Sequence, residues 1–168
     1  MWYVVQVRTG SEEKIRLQCQ QNISGDVLER CFIPYYEEKK RIRGNWTIQK
    51  KILFPGYIFV ITEKPDELYE GLKGVIGLTI LLGIGDTIIP LSEEEVSFLQ
   101  RVGGEEQVTR MSEGVIEDSK VIVQSGPLQG MEGYIRKIDR HKRKAWLEIE
   151  IFGRIQMVEM GLEIVAKS

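Results

Sequence analysis

The chain has 168 residues, of which 42% are hydrophobic and 29% are charged. These values are typical of globular proteins and exclude collagen-like, disordered and coiled-coil classes, while the length fits one domain or two small ones. The net charge of -2 excludes a uniformly basic protein, so any nucleic-acid-binding surface has to be local.

The sequence also bounds localisation and redox chemistry. No run approaches the roughly 20 apolar residues that span a membrane, and the N-terminus reads as a strand rather than a signal peptide. We therefore expect a cytoplasmic protein with no membrane partner. Cys19 and Cys31 are too few for a disulfide framework or a zinc site, so we expect two buried thiols and neither metal nor cofactor.

The N-terminal region begins with a strand and a helix. Residues 2–7 are aromatic and β-branched, which favours a strand. Thr9 and Glu12 have the spacing of a capping box, and apolar residues then recur at four-residue steps. This pattern predicts a helix that ends near residues 24–26.

Two strands are predicted next, at 27–33 and 52–61. The stretch between them, 37–51, is polar and rich in cations. Within it, Gly44-Asn45 indicates a turn and 46–48 a short returning strand.

Two helices and a further strand complete this region. A helix is predicted over 65–73 and a strand over 75–84. Ser92 and Glu95 form a second capping box, before a helix that ends at about residue 103. This interleaving predicts an α+β fold, with helices on one face of a mainly antiparallel sheet.

The composition changes after residue 102. Residues 103–114 are rich in small and polar side chains, which is typical of a flexible linker. Beyond them, about 55 residues with short β-type runs and glycine turns predict a small, all-β, SH3-like barrel of five strands. We therefore expect an N-terminal domain at 1–102, a linker at 103–114 and a barrel domain at 115–168.

The sequence offers little support for catalysis. His141 is the only histidine and lies among cations, with no acid or nucleophile placed beside it. No phosphate-binding Walker loop occurs. We therefore expect a protein that is not an enzyme.

The densest local charge lies in the predicted barrel. Between residues 136 and 144, six permanent cations stand against one carboxylate, flanked by Tyr134 and Trp146. Each lysine or arginine in such a hairpin can displace a counterion from a phosphate backbone, although a turn kept soluble by its charge is the alternative. The candidate RNA-binding residues are Arg136, Lys137, Arg140, His141, Lys142, Arg143 and Lys144.

A second cationic stretch lies at 39–43, with Lys50 and Lys51 nearby. Glu37 and Glu38 adjoin it, so solubility alone can explain its charge. It is therefore the weaker candidate for a binding surface.

The most apolar run, 53–60, contains Pro55 and Gly56. Proline removes a hydrogen-bond donor and glycine tolerates a bulge, so a buried strand with a bend explains the run. An irregular entry into the strand also re-aims aromatic side chains, which would let Phe54 and Tyr57 face a partner.

These motifs together resemble the NusG family of transcription elongation factors. The segments that resemble its N-terminal domain are 2–5, 10–12, 43–44 and 54–57, which read Trp-Tyr-Val-Val, Gly-Ser-Glu, Arg-Gly and Phe-Pro-Gly-Tyr. Residues 121–133 and 151–154 resemble the KOW domain that follows in that family. The resemblance covers nearly the whole chain.

The resemblance implies a factor that binds bacterial RNA polymerase and reduces pausing. In the family, the N-terminal domain docks on the clamp helices of the β′ subunit and reaches toward the β subunit. By position, the residues implied to contact polymerase are Gln6, Phe54, Pro55, Tyr57 and Phe59. Arg8 is implied to lie near the non-template DNA strand.

Two departures point to a specialised member. Leu128 stands where housekeeping members usually carry a phenylalanine that contacts ribosomal protein S10 or the terminator Rho, so those contacts do not carry over with the resemblance. The basic run between 136 and 144 is an addition, and with it the chain resembles operon-specific antiterminators of the LoaP type. Glycines and β-type runs favour strands over the α-helical hairpin that one specialised relative forms in this region.

We therefore predict a monomeric antitermination factor whose N-terminal domain holds polymerase and whose basic barrel recognises a hairpin of nascent leader RNA. One alternative is a general NusG-type elongation factor that couples transcription to translation. Another is a structural RNA-binding protein with a KOW barrel.

Overall fold

A computed structural model of the protein describes residues 1–75 and 88–168. In chain order, its elements are β1 (Trp2–Gln6), α1 (Glu12–Asn22), β2 (Arg30–Phe32), β3 (Tyr35–Ile42), β4 (Asn45–Ile52), β5 (Tyr57–Ile61), α2 (Pro65–Lys73), β6 (Ile88–Pro90), α3 (Glu93–Gly103), β7 (Val108–Thr109), β8 (Ser112–Glu117), β9 (Lys120–Ser125), a short 3-10 helix (Glu132–Tyr134), β10 (Ile135–Asp139), β11 (Lys144–Ile151) and β12 (Arg154–Lys167). This mixture of helices and sheets confirms the α+β class. Apart from its first residue, the strand predicted at 75–84 lies outside the described residues.

The elements fall into two compact units. The first comprises Met1–Ile33 and Phe54–Val96, and the second comprises Pro34–Leu53 and Ser97–Ser168. The hairpin of β3 and β4 therefore clusters with the C-terminal residues, whereas the sequence assigns it to the N-terminal domain. The domain boundaries at 102 and 115 stay a prediction.

A four-stranded antiparallel sheet forms the first unit, in the order β2-β5-β1-β6. Helix α1 contacts β2, β5 and α2. The single strand expected at 52–61 is divided, because Pro55 has no N–H to donate and Gly56 adopts a φ of 88°. Cys19 and Cys31 are buried free thiols, as predicted.

The two predicted capping boxes have different outcomes. At α3, the N–H of Ser92 donates to Glu95 Oε1 at 2.9 Å and the N–H of Glu95 donates to Ser92 Oγ at 3.2 Å, as predicted. At α1, the Thr9 box is not formed. The buried Glu12 carboxylate instead accepts the backbone N–H groups of Gly10 and Gly56, at 2.6 and 3.0 Å.

The second unit begins with the hairpin of β3 and β4, whose eight-residue strands are joined by a two-residue turn. The turn residues are Arg43 and Gly44 rather than Gly44 and Asn45. Both have positive φ, 51° and 82°, as a type I′ turn requires.

The segment 103–114, expected to be a flexible linker, contains β7 and the start of β8. β7 pairs in parallel with β3, and Val108, Thr109 and Ser112 are buried. The apolar and β-branched side chains of Val108 and Thr109 favour this pairing, which the polar composition of the segment conceals.

The remaining five strands form one sheet in the order β10-β11-β12-β8-β9. β12 pairs antiparallel with β11 through Arg154–Gly161 and then parallel with β8 through Leu162–Lys167. In the described residues the edge strands β9 and β10 do not pair, so hydrogen bonds do not close the sheet into a barrel. The strands confirm that this region is not an α-helical hairpin.

Candidate nucleic-acid interface

The predicted RNA-binding residues lie on β10, on the turn after it and at the start of β11. The turn consists of residues 140–143, between the paired Asp139 and Lys144. Asp139 Oδ1 accepts the backbone N–H of Lys142 at 2.9 Å, and this hydrogen bond holds the pKa of the Asp139 carboxyl below its ordinary value. Arg140, His141 and Lys142 are exposed. Arg140 and Lys142 form no ion pair with any described residue.

Lys144 has a different environment from the turn. Its side chain is only 12% exposed, and its Nζ lies 3.2 Å from Glu38 Oε2 and 3.3 Å from Glu159 Oε2. Burial by itself lowers the pKa of Lys144, but the two carboxylates outweigh burial and raise it above its ordinary value. Lys144 is thus an internal ion-pair partner, and this burial counts against its predicted contact with RNA.

Glu159 connects three side chains of the second unit. Tyr36 Oη donates to it at 2.7 Å and Trp146 Nε1 at 3.2 Å, in addition to the Lys144 contact. Burial alone raises the pKa of Glu159, but the Tyr36 hydrogen bond and the Lys144 charge lower it below its ordinary value. Burial, together with the same carboxylate, raises the pKa of Tyr36. The network fixes β3 against β11 and β12.

Two further predicted cations are held by specific partners. Arg136 donates to the carbonyl oxygen of Gly133 at 2.6 Å and lies 3.5 Å from Glu148. Lys137 Nζ lies 4.9 Å from the centroid of the Trp146 ring. These contacts orient the cations over strand β11 while leaving both exposed.

Arg143 connects the turn to the β3–β4 hairpin. Its guanidinium carbon lies 3.5 Å from the centroid of the Trp46 ring, and its Nε lies 3.7 Å from Glu163. A cation held over an aromatic face at this distance is attracted by the electron density of the ring. The contact places Trp46, which the sequence marked only as part of a returning strand, beside the predicted RNA-binding turn.

The structure also brings the two cationic stretches together. Lys40 and Arg41 of the weaker stretch line the same cleft as His141 and Lys142 of the stronger one. The two stretches are far apart in sequence, and the only signal that links them is the charge of each. The weaker candidate therefore belongs to the same surface as the stronger one.

The residues that the resemblance assigns to polymerase lie in the first unit. Gln6 and Pro55 are exposed, whereas Phe54, Tyr57 and Phe59 are buried, with Phe54 only 1% exposed. The Phe54 and Phe59 rings lie 6.0 Å apart. The polymerase assignment stays a prediction, and in this structure only Gln6 and Pro55 of the assigned set offer side chains for direct contact.

The turn that carries Pro55 is fixed by hydrogen bonds within the first unit. The N–H of Val7 donates to the carbonyl oxygen of Gly56 at 2.8 Å, and Glu12 accepts the Gly56 N–H. A side chain at Gly56 would approach Thr9 Oγ1 to 3.3 Å, and its φ of 88° disfavours other residues. Sequence reasoning assigned Glu12 only to a capping box, because the partner that it holds in this turn, Gly56, lies 44 residues away.

Arg8, implied to lie near DNA, follows β1 and is exposed. Its carbonyl oxygen accepts the Ser11 N–H at 3.0 Å and the Ser11 hydroxyl at 2.6 Å. The start of α1 thereby fixes the backbone at Arg8, and the role of Arg8 near DNA stays a prediction.

Within 1–75 and 88–168, no helix has the length and apolar character that crossing a membrane requires.

Comparison with known proteins gives a consistent result. Residues 1–100 match the family described as transcription termination factor NusG. The chain is 30% identical to the transcription termination/antitermination protein NusG of Thermus thermophilus, over 99% of this chain and 98% of that protein. It is also 30% identical to the NusG of Bacillus subtilis, over 99% of this chain and 97% of that protein.

The fold is similar to that of a solved structure of Thermotoga maritima NusG. The match covers 95% of this chain and 92% of the Thermotoga chain, with a TM-score of 0.56 and 23% sequence identity. The relatives are transcription factors rather than enzymes, as the sequence predicts. The chain therefore belongs to the NusG family of transcription termination/antitermination factors.

Proposed function

We propose that this protein is a cytoplasmic, monomeric antitermination factor that binds bacterial RNA polymerase through its N-terminal domain and nascent leader RNA through its basic KOW domain. The observation that carries the proposal is the exposed turn of residues 140–143. There, the side chains of Arg140 and Lys142 form no ion pair with any described residue. Exposed cations outside ion pairs attract phosphates.

RNA is favoured over duplex DNA because of where such a factor would work. A KOW domain tethered to polymerase meets the emerging transcript at a high effective concentration. Proteins also read RNA sequence best in loops, bulges and hairpin ends, which a single cationic turn can approach. Arg8 is the candidate for a contact with non-template DNA.

Polymerase binding is proposed for the surface around the turn of residues 53–56, which carries Pro55 and is called the 53–56 turn below. Pro55 and Gln6 are the exposed members of the assigned set, and the buried Glu12 carboxylate fixes the turn by accepting the Gly56 N–H. Phe54 and Tyr57 would support this surface from inside. Their replacement by alanine would therefore report on folding, and Pro55→Asp with Gln6→Glu is the cleaner test of binding to the β′ clamp helices and the β subunit.

A general NusG-type elongation factor is the second candidate, because the relatives from Thermus and Bacillus carry the general name. In such a factor the position of Leu128 would contact ribosomal protein S10 or Rho. Here Leu128 is 0% exposed, and its N–H donates to Ser112 Oγ at 3.0 Å. Burial of this side chain favours the specialised function, and a pull-down with S10 separates the two.

A structural KOW protein would bind RNA without affecting purified polymerase.

The test is transcription by purified bacterial polymerase across an intrinsic terminator, with and without the protein. Templates either include or lack the leader that precedes the operon nearest the gene. We expect readthrough only with the leader. Equal readthrough on both templates would establish the general factor instead, and no effect on either would leave the structural RNA-binding protein.

A further inference from the structure

A cleft of about 320 Å³ lies in the second unit, between the β3–β4 hairpin and the turn of residues 140–143. Six of its lining residues are permanent cations: Lys39, Lys40, Arg41, Lys51, Lys142 and Lys144. Glu38 is the one carboxylate in the lining, and Trp46 the one aromatic residue besides His141. The volume is within the range of small-ligand sites, which begins at about 300 Å³.

Half of these cations are neutralised from within the unit. Glu38 Oε2 lies 3.4 Å from Lys51 Nζ and 3.2 Å from Lys144 Nζ, and Lys39 pairs with Glu163. These three lysines line the cleft, and each could bind an anionic ligand only if its ion pair within the unit were broken.

The other half, Lys40, Arg41 and Lys142, form no ion pair with any described residue. Lys40 and Arg41 come from β3 and Lys142 from the turn of residues 140–143, and all three line the cleft. A concave site with three cations that form no ion pair concentrates anions, and phosphate groups are well suited to it.

Trp46 adds a different chemistry to the same cleft. Its side chain is 44% exposed, although tryptophan is highly buried on average, and the Arg143 guanidinium covers one face of its ring. Unpaired bases stack on such exposed rings, whereas the bases of a duplex are already stacked on one another. Cations beside an aromatic platform are the combination that binds single-stranded nucleic acid.

From this arrangement we infer that the cleft binds an unpaired segment of RNA, with a base stacked on Trp46 and the adjoining phosphates on Lys40, Arg41 and Lys142. The inference rests on the proposed function, in that the RNA is the nascent transcript. It adds that the β3–β4 hairpin is half of the RNA site, and that the unpaired loop or flank of a leader hairpin is the part bound there.

The test uses the full chain and fluorescence anisotropy with a labelled oligouridylate, a duplex RNA of the same length and the matching single-stranded DNA. Trp46→Ala should weaken oligouridylate binding about tenfold, the effect of removing one base–aromatic stack, and Trp46→Phe should retain most of the affinity. Lys40→Gln with Arg41→Gln should lower the slope of log affinity against log salt by about 0.7 for each phosphate that is no longer bound. Duplex RNA binding should change little in Trp46→Ala.

Two substitutions on the same hairpin serve as controls. Ile48→Ala removes an exposed apolar side chain from β4, and Lys50→Gln removes an exposed cation, and neither residue lines the cleft. Both should bind oligouridylate like the parent protein. Circular dichroism and thermal unfolding of every variant distinguish weaker RNA binding from a failure to fold.

The outcomes distinguish this inference from the proposed function. If Arg140→Gln with Lys142→Gln weakens RNA binding while the Trp46 and Lys40/Arg41 variants do not, the inference is overturned and the proposed function stands. If no variant alters RNA affinity, both fail. If Trp46→Ala weakens the binding of duplex RNA and of oligouridylate equally, the inference that a base stacks on Trp46 is overturned. If the protein binds single-stranded DNA more tightly than oligouridylate, the inference that RNA is the ligand is overturned.

Discussion

Two buried glutamates, one in each unit, have their charge compensated in different ways. Glu12 in the first unit accepts two backbone N–H groups, from Gly10 and Gly56. Glu38 in the second unit lies beside the ammonium groups of Lys51 and Lys144. A backbone N–H is retained when its residue is replaced by any residue other than proline. A lysine ammonium, in contrast, is lost in a single substitution. The 53–56 turn thus depends on backbone position, while the packing of the β3–β4 hairpin depends on charge.

The largest effect is expected from Lys144→Met. It would leave the buried Glu38 and the partly buried Glu159 short of a cation, and removing one partner of a buried pair costs about 3 kcal/mol of unfolding free energy. Urea denaturation measures this decrease. Lys142→Met, two residues away and exposed, should change the unfolding free energy by less than about 0.5 kcal/mol. Equal effects of the two substitutions would show that burial does not separate these lysines.

A smaller decrease, about 2 kcal/mol, is expected from Glu12→Gln. The glutamine retains one acceptor oxygen but turns an amide group toward an N–H donor, so one buried N–H loses its partner. Faster hydrogen exchange at the Gly56 amide would locate the effect in the 53–56 turn. The neighbouring Glu13→Gln is the matched control, since Glu13 is exposed and pairs with Arg16 on the helix surface. Unchanged exchange at Gly56 would show that Glu12 does not fix the turn.

Acid should weaken the second unit through Glu159. Because the folded pKa of Glu159 lies below its ordinary value of 4.5, its stabilising contribution is present above that value and is lost as the pH falls through the folded pKa. Solvent screening of this partly exposed carboxylate limits the effect to about 0.5–1 kcal/mol. Thermal unfolding between about pH 3 and pH 7 measures it, and Glu159→Gln should flatten this part of the profile. A profile that is the same in both proteins would exclude Glu159 as the source.

The smallest effect on stability is expected from Arg140→Gln with Lys142→Gln, less than about 0.5 kcal/mol, because neither side chain has an ion-pair partner in the described residues. The same substitutions should weaken RNA binding and reduce its salt slope by about 0.7 for each single-strand phosphate contact that is lost, or about 1.4 for two contacts. A decrease in stability similar to that of Lys144→Met would mean that the turn, like Lys144, supports the fold.

Sequence patterns correctly predicted those features whose contacts join residues close together in the chain. The reciprocal hydrogen bonds of Ser92 and Glu95 span three residues, so their spacing was enough to place the start of α3. Thr9 and Glu12 have the same spacing, yet Glu12 bonds Gly56 across 44 residues, which no local pattern shows. The NusG family was likewise recognisable from short motifs, because each is contiguous in the chain.

The candidate site was predicted less completely for the same reason. A group of six cations indicated a binding surface, but Lys144 and Lys142 look alike in sequence. Burial beside the carboxylates of Glu38 and Glu159 makes Lys144 an internal lysine, whereas Lys142 is exposed. The side chains that complete the surface, Trp46 among them, lie on the hairpin of β3 and β4. Its contact with β12 depends on tertiary structure that periodicity does not encode.

The two-residue turn at Arg43 and Gly44 would allow the length of the β3–β4 hairpin to differ between related proteins. Residues 40–48, on both sides of the turn, are all exposed, so the hairpin tip can change in length without altering a buried side chain. Adding one residue to each strand extends the ribbon by about 3.4 Å but turns every side chain beyond the insertion to the opposite face. Adding two to each restores the faces. Insertions of two residues in each strand would therefore move the aromatic and basic side chains at the tip farther from the sheets while keeping them on the same face of the hairpin.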